Sequence, residues 1–237
     1  MPSWNINPAF YTPLSIIIAG IIIAGAIVGV GHVPGSSAAV PSTNTGTTAT
    51  VDSSQVSSAG NPTLGSDSAP LTIAYWFDYQ CPFCKQNEAT VMPSIIKDYV
   101  DTGKVRIVFK DFSFLGPDSD TLGHAGRAVW QVAPQKFSAW HTAVYADQGE
   151  ENTGWATLAE IQKITASVLT PSETAQVMQL MQSDKAKYQA AMDADKQEGE
   201  QDGVQGTPAM LIGTQMIAGA EPYATVKAAI DQELAKK

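Results

Sequence analysis

The hydropathy pattern of the chain changes at about residue 70. Before that point the apolar residues form one block. Leu14 to Val33 (LSIIIAGIIIAGAIVGVGHV) is apolar on every helical face and contains no Asp, Glu, Lys or Arg. About twenty such residues in a helix span the hydrocarbon core of a bilayer. The block therefore predicts a transmembrane anchor over residues 14–33, behind a short cytoplasmic segment of residues 1–13. A cleaved signal peptide is the competing reading, with small residues at Ser37-Ala38-Ala39 for cleavage. The missing positive n-region, since the first Lys or Arg is Lys85, and the length of the block favour the anchor. From Pro34 to Pro70 the chain is rich in Ser, Thr, Ala, Gly and Pro and has no sustained period. Over its roughly 35 residues this tract would have an r.m.s. reach on the order of 30–35 Å; a flexible linker is expected over residues 34–63 and a folded domain over residues 64–237.

Within that domain strand and helix patterns succeed one another. Leu71 to Phe77 hardly alternates, which predicts a strand buried on both faces. Val91, Ile95, Ile96, Tyr99 and Val100 keep helical spacing behind Pro82, a residue suited to a first helical turn, and Pro93 predicts a kink. Gly103 ends this helix, and Val105 to Phe109 predicts a second strand. From Ser119 to about Gln182 the pattern is helical, with Phe137, Trp140, Val144 and Tyr145 on one apolar face and a capping box at Thr170-Pro171-Ser172-Glu173. A polar helix follows from about Asp184 to Asp202. Ala209 to Ile212 and Gln215 to Ala218 flank Gly213-Thr214, a hairpin signal. Tyr223, Val226, Ile230 and Leu234 mark a last helix. The class is mixed α/β.

Charge narrows the partners. Beyond Pro70 lie all 14 basic residues and 21 of the 23 acidic ones, a formal charge of about −7, which argues against nucleic acid. The chemistry is concentrated in Cys81-Pro82-Phe83-Cys84, which holds the only two cysteines of the 237 residues. Two thiols at this spacing on a helix N-terminus can close a small disulfide ring, and the helix N–H groups favour the first thiolate. A structural zinc site needs about four ligands, and His32, His124 and His141 are the only histidines to add, so no metal is expected. A purely structural disulfide across two residues would constrain little chain.

Leu64-Gly65, Ala69-Pro70, Asp78-Tyr79-Gln80-Cys81-Pro82-Phe83-Cys84 and, far downstream, Gly206-Thr207-Pro208-Ala209 together resemble the DsbA-like thioredoxin-fold family of exported thiol-disulfide oxidoreductases. The resemblance covers about 170 residues. It implies a thioredoxin-like fold with a helical insertion at about 119–182, preceded here by the transmembrane helix and linker. It further implies an exposed Cys81 that forms the mixed disulfide with substrate and a more buried Cys84 that resolves it. Pro208 is expected to be cis and to face the cysteines, with the backbone of Thr207 pairing with an extended substrate peptide. Asp78 is a candidate proton acceptor for Cys84, in competition with a turn-capping role. Phe83 stands where strongly oxidising relatives carry His, which predicts a milder oxidant.

His124 and His141 read as helix-packing or surface residues. Trp76, Phe77, Phe112 and Phe114 read equally as groove or as core. The expected function is a membrane-tethered enzyme that forms or exchanges disulfides in unfolded or reduced exported proteins, with no cofactor beyond the Cys81–Cys84 redox pair. The resemblance implies a quinone-linked membrane thiol oxidase as partner. The expected location is the cell membrane, single-pass, with an extracytoplasmic catalytic domain. Two alternatives stay open. One is an isomerase or reductase kept reduced by a membrane donor, toward which Thr207 points; the other is a tethered chaperone or peptide-binding module.

Overall fold

The computed structural model describes residues 51–237. Its centre is β2 (Leu71–Phe77), paired in parallel with β3 (Val105–Asp111). β4 (Ala209–Ile212) runs antiparallel to the other side of β2, and β5 (Gln215–Ala218) closes a hairpin with β4. A two-residue β1 (Thr63–Leu64) lies antiparallel outside β3, giving the order β1-β3-β2-β4-β5. The uninterrupted apolar run of β2 is explained by this position. Ile73, Tyr75 and Phe77 face the main core, while Ala74 and Trp76 face a second cluster with Phe112, Val204, Ala209 and Leu211.

The helix after β2 is divided. α1 (Pro82–Thr90) stops at Val91, whose φ of −114° leaves the helical range, and α2 (Met92–Ile95) runs into a π-helical turn over Ile96–Val100. Pro93 has no N–H to continue the ladder, so the predicted kink is a break two residues earlier. The helical insertion consists of α3 (Pro117–Val132), α4 (Phe137–Ala146), α5 (Leu158–Val168) and α6 (Pro171–Ser183). The predicted capping box is formed at Thr170 and Glu173. α7 (Lys185–Gln201) leads back to β4, and α8 (Tyr223–Leu234) ends the domain.

α7 approaches the sheet so closely that a Cβ on Gly199 would lie 2.6 Å from Trp76 Nε1. The same helix supplies Asp195 and Glu198 to a buried ionic cluster. Lys110 Nζ of β3 lies 2.7 Å from Asp195 Oδ1 and 2.6 Å from Glu198 Oε2. Arg127 of α3 pairs with Asp111 Oδ2 at 2.7 Å and also with Asp195.

The linker expectation is corrected over residues 51–63, which belong to the folded unit. Ser53 is buried; its Oγ donates to the Thr72 carbonyl at 2.7 Å and accepts from the Gly213 N–H at 2.9 Å. Val51 and Val56 pack on the second cluster. A strand of two residues and a few satisfied small polar groups leave no period to read. Among the described residues no helix is long and apolar enough to cross a membrane. The anchor expected over residues 14–33 lies outside them.

Candidate active site

β2 ends by delivering Asp78 to a tight turn, in which the Cys81 N–H donates to the Asp78 carbonyl at 3.0 Å. Cys81 is the N-cap of α1, in extended conformation, and Pro82 takes the first helical position. The backbone N–H groups of Phe83 and Cys84 consequently point at the Cys81 sulfur. One turn further on, Cys84 is fully buried against β2.

The two sulfurs differ sharply in acidity. The Cys81 thiol is pushed down to about 6, first by a hydrogen bond from the Cys84 thiol, then by the Thr207 side chain and the two helix N–H groups, all against the opposing effect of burial. Cys84 is raised well above the ordinary thiol range, first by burial and then by the neighbouring Cys81. Both are free thiols.

The Thr207–Pro208 peptide is cis, as the resemblance implied. The Thr207 carbonyl sits 3.3 Å from Cys81 Sγ. Its hydroxyl, buried without a nitrogen or oxygen partner, faces both sulfurs and favours the thiolate at each. A cleft of about 380 Å³ starts at Gly206 and Thr207 and is walled by Val204, Ala209, Met216 and Ala218. The structure thus brings Cys81, Cys84, Pro82, Thr207 and Pro208 together. The Phe83 ring points outward, with the residue 61% exposed, and offers neither charge nor hydrogen bond to the sulfurs; its backbone N–H alone reaches Cys81.

Two expectations are corrected. Cys81 is only 4% exposed, because the Thr207 carbonyl covers its sulfur and Gln148 Nε2 from beyond α4 grips the Cys81 and Tyr79 carbonyls at 3.1 and 2.8 Å. Asp78 is the capping residue rather than the proton acceptor. Its Oδ1 accepts from the Gln80 N–H at 2.8 Å and the Ser119 hydroxyl at 2.6 Å, and its Oδ2 from the N–H groups of Phe114 and Leu115 at 2.9 and 3.2 Å. Four donors engage this carboxylate, and what Asp78 presents to Cys84 is its backbone N–H.

Sequence reasoning quoted Gln80 within the motif without giving it a role and passed over Ser119 and Gln148, which brace the loop from the insertion. Gln80 Nε2 donates to Ser119 Oγ at 2.9 Å and its Oε1 accepts from the Asn152 N–H at 2.8 Å. Nothing in the local pattern marks Ser119 or Gln148. His141 is buried, as a helix-packing residue would be, among the rings of Phe77, Tyr79, Phe109 and Tyr145. Trp76 and Phe77 are core, whereas Phe114 is 48% exposed. Among the described residues no three His, Cys, Asp or Glu side chains gather into a metal site.

Residues 57–232 match the thioredoxin family model described as Thioredoxin_4. A probable disulfide bond formation protein D of Bacillus cereus is 30% identical over 174 residues, covering 73% of this chain and 78% of that protein. The crystal structure of oxidised BdbD from Bacillus subtilis superposes with a TM-score of 0.68 at 27% identity, covering 76% of this chain and 95% of that one. Chlamydia trachomatis DsbA shares the fold, with a TM-score of 0.65 at 21% identity over 75% of this chain and 93% of its own. A redox-competent CxxC on a helix N-terminus, faced by a cis-proline loop within this sheet and helical insertion, makes the chain a member of the DsbA-like thioredoxin-fold family and a thiol-disulfide oxidoreductase.

Proposed function

We propose that this enzyme forms disulfides in exported proteins, as a membrane-tethered oxidase whose catalytic domain lies outside the cytoplasm. The observation that carries this reading is the acidity of Cys81, at about 6. A stabilised thiolate favours the reduced enzyme, and so makes its disulfide a better electron acceptor from substrate thiols. A reductase needs the opposite balance. Export is supported by the apolar block at residues 14–33 and by the compartments in which protein disulfides persist.

The working cycle needs no cofactor in this chain, since the Cys81–Cys84 pair itself holds the two electrons. A substrate thiolate attacks Cys81 and forms the mixed disulfide. The substrate's second thiol then displaces Cys81, leaving the enzyme reduced and the substrate oxidised. An extended reduced polypeptide pairs with the Thr207 backbone beside Pro208, with the cleft walled by Val204 and Met216 and the exposed rings of Phe83 and Phe114 as apolar contacts. Recharging falls to a quinone-linked thiol oxidase in the same membrane.

The decisive experiment is the reduction potential of the Cys81–Cys84 pair at equilibrium with glutathione buffers. A value well above that of thioredoxin, about −270 mV, is expected. A value at or below it would overturn the oxidase reading in favour of a tethered reductase. Protease treatment of intact cells, with digestion of the domain expected, tests its placement.

A further inference from the structure

The stretch from Glu198 to Gly213 carries the end of α7, the loop to Thr207 and Pro208, and β4, and it supplies most of the cleft beside Cys81. Its middle is weakly held. Gly203 has a φ of 90°, Gly206 borders open space, and of residues 201–207 only Val204 is buried. Val204 sits in the second core cluster with Trp76, Phe112, Ala209 and Leu211. Met216, which walls the cleft, packs on the same cluster.

The two ends of this stretch are joined by residues 51–61. Before the loop, the Ser57 N–H donates to Glu198 Oε1 at 2.8 Å. After it, Ser53 exchanges two hydrogen bonds with Gly213 of the β4–β5 turn. The Ser53 N–H donates to the Gly213 carbonyl at 2.8 Å, and Ser53 Oγ accepts from the Gly213 N–H at 2.9 Å. The same Oγ donates to the Thr72 carbonyl of β2 at 2.7 Å, which ties the turn to the centre of the sheet. Val51 and Val56 cover the cluster that holds Val204 and Met216. Further along, Arg127 Nη1 donates to the Gly60 carbonyl at 3.3 Å.

We propose that residues 51–61 form a clip that holds the Thr207–Pro208 loop where it can receive a polypeptide, with Ser53 and Val56 as its positioning residues. The proposal rests on the reading of the adjoining cleft as the polypeptide site. The clip lies behind that cleft, and none of its residues lines the cleft itself. Loosening it therefore spares the exchange of a small dithiol but lowers the fraction of molecules whose cleft accepts a chain, and apparent affinity falls with that fraction. The coupling is reciprocal: if the closed clip favours a bound peptide, a bound peptide favours the closed clip. Preference for polypeptide over small thiols is thus set partly by a segment remote from the sulfurs.

The test mixes oxidised full-length enzyme with an excess of a reduced two-cysteine peptide, or with dithiothreitol, and reads the enzyme disulfide by mass after acid quenching. In Ser53→Ala the half-saturating peptide concentration is expected to rise about tenfold, the mark of a cleft competent in about one molecule in ten. The plateau rate, the rate with dithiothreitol and the Cys81 titration are expected to hold. Val56→Ser should behave as Ser53→Ala does, and Val56→Ile as the parent. Unchanged half-saturation, or an equal loss with dithiothreitol, would overturn the proposal. Should the variants not fold, amide exchange of the wild-type enzyme decides. The same peptide with serine for both cysteines, at saturation, is expected to slow exchange at the Ser53 and Ser57 N–H groups; unaltered exchange there ends the idea. If the wild-type enzyme oxidises dithiothreitol but is not saturated by peptide, the cleft reading fails and the clip with it. If it oxidises neither, it is the oxidoreductase reading that fails.

Discussion

Beside β3, Lys110 and Arg127 are almost completely buried, and each is matched by carboxylates of Asp111, Asp195 or Glu198. At the mouth of α1, the Cys81 sulfur reaches an acidity near 6 with no Lys, Arg or His among the groups that lower it. One region fixes its charges by pairing them, and the other makes one charge available through hydrogen bonds alone. A paired buried charge is strongly stabilised against change, because removing one partner strands the other. A thiolate held by N–H, S–H and O–H donors can be exchanged for a disulfide without leaving an opposite charge behind. Permanence and reactivity are thus separated within the same small domain.

The largest expected effect is at the reactive end. Cys81→Ser should abolish thiol exchange with oxidised glutathione while leaving the urea midpoint close to that of the reduced parent. Retained exchange would mean that Cys84 can attack from its buried position, and retained peptide binding alone would revive the chaperone reading. At the ionic end, Asp195→Ala takes one of two carboxylate partners from each of Lys110 and Arg127, leaving Glu198 and Asp111, and should cost about 1–3 kcal/mol in urea unfolding. Its Cys81 titration should not move, and a coupled shift would show that the two regions share their electrostatics. Gly199→Ala forces a methyl against Trp76 and should cost about 1–3 kcal/mol, again without effect on the thiolate.

The smallest effect is the finest probe. Thr207→Val removes a hydroxyl that favours both thiolates and should raise the Cys81 midpoint by less than about one unit, read from iodoacetamide alkylation against pH. In the parent, the folded value of about 6 lies below the ordinary 9.0. The thiolate's contribution to the stability of the reduced protein is therefore full above about pH 9 and is lost as pH falls through about 6. The variant should narrow that window from its lower edge.

The helices, the four longer strands and the CxxC pair were legible because each leaves a local signal: a period, a cap, a turn or a spacing. The cis geometry of Pro208 was legible only through the resemblance, since X-Pro bonds in folded proteins are mostly trans. Asp78 was singled out by its place at a strand end, yet its task depends on Ser119, Phe114 and Leu115, far along the chain. Lys110 sits in a strand that reads as ordinary, and its burial depends on carboxylates from α7. Glu88 was not singled out, and its buried contact with His141 of α4 joins two helices that no local pattern pairs. Residues 51–63 hid because polar residues satisfied by backbone look like linker.

The unequal acidity of the two cysteines also makes the molecule its own gauge. They are the only thiols in the chain, and near neutral pH one of them is largely ionised while the other stays protonated in the interior. A brief pulse of an alkylating probe will therefore attach once per reduced molecule, at Cys81, and not at all to oxidised molecules. The labelled fraction then reads the redox state of the population directly, with no engineered reporter.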